Sequence, residues 1–110
     1  MSKESPIACV MVALDDAQQR RRKELEERVA ASIEEVRELA DGYAVRLPSD
    51  ARTVQEVAEF VTYERLCCPF LDFEIRVERE GGPLWLRLTG REGVKEFVRI
   101  EFGFNDLMKG

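Results

Sequence analysis

A strict alternation of apolar and charged residues in the second half of the chain constrains the fold more than any other feature. The apolar positions lie on both sides of Gly81-Gly82: Leu71, Phe73, Ile75 and Val77 before it, then Leu84, Leu86 and Leu88 after it. Successive side chains of a strand point to opposite faces of a sheet, so this repeat predicts two strands, each with one apolar face and one solvent-exposed face. The glycine pair predicts the turn between them. The segment therefore predicts a β-hairpin whose apolar face packs against a second layer.

Apolar residues at helical spacing predict a long first helix before this hairpin. They recur every three or four positions, with charged residues between them: Leu25, Val29, Ile33, Val36 and Ala40. This is the pattern of an amphipathic helix. Asp15 or Asp16 is expected to cap its start, and Asp41-Gly42 to stop it in a left-handed turn.

Two further helices and one more strand are expected. Alternation at residues 43–47 predicts a short strand that ends at Pro48. A second helix then begins either near Ser49 or Asp50 or at the capping box Thr53-Val54-Gln55-Glu56. It must end before Pro69, since the residue that precedes a proline avoids helical geometry. The third helix is marked by Val94, Phe97, Val98 and Phe104.

These elements predict a single α+β domain that covers residues 1–110. The apolar run at residues 7–14 is interpreted either as a buried strand or as an extended arm packed on the core. The expected order is (β)-α-β-α-β-β-α. Its simplest arrangement is a two-layer fold, with a mostly antiparallel sheet of three or four strands and three helices on the apolar face.

Charge and composition exclude several classes of protein. The net charge is −5, and the basic run Arg20-Arg21-Arg22-Lys23 is followed at once by glutamates that can pair with it along a helix. Nucleic-acid binding is therefore not expected. No run approaches the ~20 apolar residues of a membrane span, and the start of the chain lacks a signal-peptide pattern. Three cysteines are too few for a disulfide framework, so a reducing cytoplasm is predicted.

The absence of histidine argues against most enzymatic chemistry. It removes the commonest general base and every Ser-His or Cys-His pair. Gly90-Arg-Glu-Gly93 has neither the spacing nor the lysine of a phosphate-binding loop. A non-catalytic protein is the prediction.

The pair Cys67-Cys68 is the one chemically unusual feature. Thiolate sulfur is a soft ligand, so two adjacent thiols can bind Hg(II), Cu(I), Zn(II) or trivalent arsenic. Glu64 lies one helical turn before Cys68, and Cys9 completes a three-thiol set if the N-terminal segment folds back. A C-terminal helix end disfavours thiolate, which argues against a catalytic cysteine. The sequence therefore predicts a thiophilic metal site at Cys67, Cys68, Cys9 and Glu64.

Two other interpretations of the pair remain open at this stage. Free cysteine is among the most buried residue types, so the second interpretation is that both thiols only fill the core. The chain would then be a structural or interaction module. It would bind a partner, or a second copy in a homodimer, through the solvent-exposed sheet face around Trp85 and Arg87. A thiol-based redox role is the third interpretation.

Several segments together resemble a family of small bacterial proteins of uncharacterised function. Its core is Glu-Arg-x-Cys-Cys-Pro-Phe-Leu, here residues 64–71, and the resemblance extends to the segments at 36–44 and 84–97 and to Ile7-Ala8-Cys9. It implies no established activity, cofactor or substrate. It does imply that Cys9, Cys67 and Cys68 occur together, as a shared thiol site would require.

Overall fold

Two antiparallel hairpins meet edge to edge in one four-stranded sheet, in a computed structural model that describes residues 6–104. The first hairpin joins β1 (Glu35–Leu39) to β2 (Gly42–Leu47), and the second joins β3 (Asp72–Val77) to β4 (Leu84–Thr89). The strand order is β1-β2-β4-β3, so β2 and β4 are central and β1 and β3 are the edges.

Three helices and one short 3₁₀ turn complete the described chain. They are α1 (Asp16–Ser32), α2 (Ala51–Cys67) and α3 (Val94–Glu101), with the turn at Met11–Ala13. Asp15 caps α1: its side chain accepts from the Gln18 backbone N–H, and the Gln18 side chain accepts from the Asp15 N–H. Asp50 caps α2 by accepting from the Thr53 N–H. Each cap supplies acceptors for N–H groups that a helix leaves without partners.

The core lies between the helices and the inner face of the two central strands. Directly opposed residues of antiparallel strands point to the same face. The buried opposed pairs are Tyr43 with Leu88, Val45 with Leu86, and Leu47 with Leu84. From the helices, the buried residues include Leu25, Val29, Val57, Phe60, Val94 and Val98. The two-layer α+β class with an antiparallel sheet and three helices is confirmed.

The prediction that the first helix reaches Ala40 is wrong. α1 ends at Ser32, Ile33 is already extended, and residues 35–39 form β1. Val36 is opposite Val45, so a residue placed on the helical stripe instead lies on the inner face of the sheet. Asp41-Gly42 turns the chain into β2 and does not stop a helix.

The apolar run at residues 7–14 is an arm and not a strand. It crosses the end of α2, where the Val10 N–H donates to the Cys67 carbonyl over 2.8 Å. Leu14 is buried, and Ile7 packs against the edge of the core. The order of the described elements is therefore α-β-β-α-β-β-α. The additional strand of the sheet is β1, which follows the first helix and does not precede it.

The helix layer does not cover the whole sheet. Phe73, Ile75 and Val77 of β3 are opposite buried leucines of β4, so they point to the helix side as predicted. Ile75 nevertheless keeps 38% of its surface exposed and Val77 keeps 51%. The apolar face of the hairpin is thus buried along β4 and only partly covered along the edge strand β3. Within residues 6–104, no helix combines the length and apolarity required to cross a membrane.

Candidate thiol site

The end of α2 fixes the position of both adjacent cysteines. Cys67 is the last helical residue and Cys68 is the C-cap, whose N–H donates to the Glu64 carbonyl over 2.7 Å. Pro69 cannot continue the helix, and the Leu71 N–H returns to the Cys68 carbonyl over 3.1 Å, which turns the chain toward β3. Both cysteine side chains are buried.

The N-terminal arm brings the third cysteine to this corner. Cys9 Sγ lies 3.9 Å from Cys68 Sγ, although the two residues are 59 positions apart in the sequence. Cys9 Sγ also lies 3.6 Å from Glu101 Oε1, at the end of α3. All three cysteines are free thiols, and Cys9 is exposed. The N-terminal arm, the end of α2 and the end of α3 thus meet at the sulfur atoms of Cys9 and Cys68.

Cys67 does not share this contact. Among the hydrogen-bonding and sulfur contacts of the described residues, its thiol has no sulfur partner, and the charges nearest to it are those of Glu64 and Arg22. Adjacent residues at a helix end point in different directions, because 3.6 residues complete one turn. Of the predicted set, the structure brings Cys9 to Cys68 and places Cys67 beside them without a sulfur–sulfur contact.

Glu64 is a buried carboxylate with an incomplete set of partners. Only 3% of its surface is exposed, and its Oε2 lies 3.5 Å from Arg22 Nη1, too far for a well-formed hydrogen bond. Within the described residues that oxygen has no hydrogen-bond partner, and neither has Arg22 Nε. Burial raises the pKa of Glu64 to about 7, and the Arg22 charge only partly opposes the rise.

The three thiols are held in their protonated form. Burial raises the pKa of Cys68 most strongly, and the Glu64 charge adds to the rise. Burial and then Glu64 raise the pKa of Cys67, and burial and then Glu101 raise that of Cys9. Thiolate is the reactive form of cysteine, so this corner is poorly suited to nucleophilic catalysis. The same carboxylates favour a cation at the site.

The side chains do not form a preassembled metal cage. Within residues 6–104, no group of three or more cysteine, histidine, aspartate and glutamate side chains lies close enough together to hold a metal ion. A bound ion would begin from two sulfur ligands. Carboxylate oxygens of Glu101 or Glu64 would be further donors only after local movement.

Arg22 and Glu101 are the members of this corner that the sequence interpretation missed. Arg22 pairs with Glu26 over 2.8 Å, as its helical spacing predicts, but it also faces Glu64 from another helix. A sequence signal for Glu64 does exist. It occupies the buried stripe of α2, made up of Val57, Phe60, Glu64 and Cys67, and a charge on such a stripe usually needs a partner.

The outer sheet face is occupied by contacts within the chain. Trp85 Nε1 donates to Glu78 Oε1 over 2.6 Å, and the Arg37 guanidinium lies 4.5 Å from the centre of the indole ring. Arg87 pairs with Glu74 over 3.7 Å. Around these side chains the outer face forms an open groove of about 290 Å³, and a separate cavity of about 40 Å³ lies between α1 and the sheet.

No protein-family model, curated protein or solved structure matches this chain. The resemblance to small bacterial proteins stays a prediction. Its core segment, residues 64–71, lies where α2 turns toward β3 and contains Glu64 and both buried cysteines. The feature with the clearest chemistry is thus the corner where this segment meets the N-terminal arm.

Proposed function

We propose that the protein binds a thiophilic metal ion without catalysing a reaction, and that Cys9 and Cys68 are its sulfur ligands. The observation that supports this most directly is the 3.9 Å separation of these two sulfur atoms. A metal–thiolate bond is about 2.3 Å long. Two sulfur atoms that bind one ion from opposite sides, in a linear arrangement, are therefore about 4.6 Å apart. The two sulfur atoms would have to move apart by about 0.7 Å, and a shift of the arm that carries the exposed Cys9 can supply this movement.

The charge around the site supports a cation. Glu101 lies beside Cys9, and Glu64 is close enough to raise the pKa of all three thiols. A soft ion displaces the thiol protons when it binds, so the raised thiol pKa values lower the apparent metal affinity at neutral pH but do not prevent uptake. A positive charge bound nearby would also stabilise the Glu64 carboxylate oxygen that lacks a hydrogen-bond partner.

The number of sulfur ligands narrows the choice of ion. Soft thiolate ligands select Cu(I) and Zn(II) among biological metals, and Zn(II) almost always requires four ligands in closed sites. With two sulfurs in contact, Cu(I) and Hg(II) fit best, because both accept low coordination numbers. A reducing cytoplasm, as predicted, would keep the thiols free for such an ion.

The test is metal uptake by freshly reduced protein, followed by native mass spectrometry in a titration with Cu(I), Hg(II), Zn(II) and arsenite. We expect tight one-to-one uptake of Cu(I) and Hg(II) by the wild type. Cys9→Ser and Cys68→Ser should each abolish it, because each removes one of two sulfur ligands. Cys67→Ser is the matched control: it changes the neighbouring buried thiol and should leave uptake intact.

Two outcomes would contradict this proposal. Loss of uptake in Cys67→Ser as complete as in Cys68→Ser would move the site back to the vicinal pair. A wild type that takes up none of the four ions would leave the cysteines as core packing. The interaction module is then the remaining alternative, although Trp85 and Arg87 already pair within the chain.

A further inference from the structure

The edge strand β3 exposes an apolar side that the rest of the chain leaves uncovered. Its inner residues Phe73, Ile75 and Val77 are opposite Leu88, Leu86 and Leu84 of β4 in turn. All three leucines are buried, whereas Ile75 and Val77 are exposed. Beside it lies a groove between α2 and β3 of mixed character, lined by Val61, Arg65, Pro69, Leu71, Asp72 and Phe73. An edge strand of this kind presents both apolar side chains and unpaired backbone groups.

The opposite edge of the sheet is protected. On β1, Glu38 is opposite Tyr43 and therefore lies on the helix side, where Lys95 of α3 pairs with it over 2.9 Å. A charge on the inner side of an edge strand prevents another strand from adding there. No charged residue occupies the inner side of β3, and no proline interrupts residues 72–77. The two edges of the sheet thus differ in whether a charged residue lies on the inner side of the strand: β1 has one and β3 has none.

We propose that β3 pairs with β3 of a second copy of the chain, antiparallel, around a two-fold axis at Ile75. This register places Ile75 opposite Ile75 of the second copy, and Phe73 opposite Val77 on either side. The inner side of the seam is then apolar along residues 73–77. On the outer side Glu74 is opposite Arg76, and the two-fold axis repeats this pair of opposite charges.

Neighbouring registers are less favourable. An axis at Glu74 or at Arg76 places two like charges against each other at the centre of the seam. An axis at Phe73 places Asp72 against Glu74. In the proposed register the like-charged residues, Asp72 and Glu78, face each other only at the ends, and Glu78 already accepts from Trp85 Nε1 over 2.6 Å. Like charges directly opposed across strands are destabilising, so charge selects the axis at Ile75.

Pairing through β3 would stop at a dimer. The same strand is used by both copies, so the contact is self-complementary and leaves no free β3 edge for a third copy. The two sheets become one eight-stranded sheet with both helix layers on the same side. Val77 of the second copy, opposite Phe73, then lies beside the groove between α2 and β3.

The oligomeric state of the full chain tests this proposal. Light scattering after size exclusion, on reduced protein freed of metal with a chelator, separates the result from that of metal uptake. We expect a dimer at micromolar concentration and above. Ile75→Lys should give a monomer, because it places two ammonium groups at the axis. Val12→Lys is the matched control, since Val12 is 92% exposed and lies far along the chain from β3; it should stay dimeric.

Charge exchange tests the register itself. Glu74→Arg alone and Arg76→Glu alone should each weaken the dimer about tenfold, since two symmetry-related pairs become like-charged. The double exchange Glu74→Arg/Arg76→Glu should recover most of the lost affinity; it also removes the contact of Glu74 with Arg87, so full recovery is not expected. Circular dichroism and thermal melting confirm that each variant is folded. A monomeric wild type, a dimeric Ile75→Lys variant, or a double exchange weaker than either single change would overturn the proposal.

Discussion

The Gly42→Ala variant is expected to lose at least about 3 kcal/mol of unfolding free energy. A Cβ atom at this position would lie 1.9 Å from the Leu88 carbonyl oxygen and 2.8 Å from Thr89 Cα. Both atoms belong to the backbone of β4, which is hydrogen-bonded to β2 in the middle of the sheet. No side chain can rotate to relieve the clash, so the two central strands would have to separate at this end. Urea denaturation followed by circular dichroism measures the loss.

Gly81→Ala is the control for the effect of adding a methyl group to a glycine. Gly81 has a φ of +72°, and an added Cβ would meet no atom within 4 Å. The only cost is the left-handed conformation, about 1 kcal/mol for a residue with a side chain. An equal loss in both variants would mean that the close approach of β4 to Gly42 does not limit substitution there.

Raising the pH from about 5 to about 8 is expected to lower the free energy of unfolding by roughly 2–3 kcal/mol through Glu64. Burial raises its pKa from the ordinary value of 4.5 to about 7. Between these two values the folded protein holds a proton that the unfolded chain has released. Stability therefore falls as the pH rises through this range and levels off above the folded-state pKa. Urea titrations at several pH values measure the slope.

Few other side chains contribute in this window. The chain has no histidine. Four carboxyls have a lowered pKa and act in the opposite sense, below their ordinary pKa: Glu35, Asp50, Glu59 and Glu96. The thiols, whose pKa is raised from 9.0, act only at higher pH.

Glu64→Gln is the matched control, because it keeps the shape and a polar group beside Arg22 but cannot ionise. Its stability should be nearly constant over the same pH range. A variant with the same slope as the wild type would assign the dependence to another group.

The parts of the fold that sequence pattern predicts well are those in which one periodicity dominates. The second hairpin has seven apolar positions in strict alternation, and α2 is bounded by Asp50 and Pro69, so both were predicted correctly. The end of α1 was not. Val36 lies three positions after Ile33, so it continues the helical spacing, yet it also lies on the inner face of β1 opposite Val45. Over so few residues the two periods coincide, and only pairing with β2 decides between them.

The thiol site could be predicted only in part, because its geometry depends on distant segments. The adjacent pair predicts the corner where the candidate site lies, but the two thiols of that pair have different surroundings. The contact of Cys9 with Cys68 depends on where the arm crosses α2, which no local pattern encodes. Likewise, the exposure of Ile75 follows from the strand order, which places β3 outside the helix layer.

The separation of Cys9 from Cys68 along the chain has a consequence for the unfolded state. A link between them encloses the segment that contains α1, β1, β2 and α2, since the two residues are 59 positions apart. Closing a loop of this size removes conformational entropy from the unfolded ensemble, worth about 4 kcal/mol in the chain-entropy description of a cross-link. An ion that bridges the two sulfurs would therefore raise the free energy of global unfolding, and it would also hold the N-terminal arm against the core.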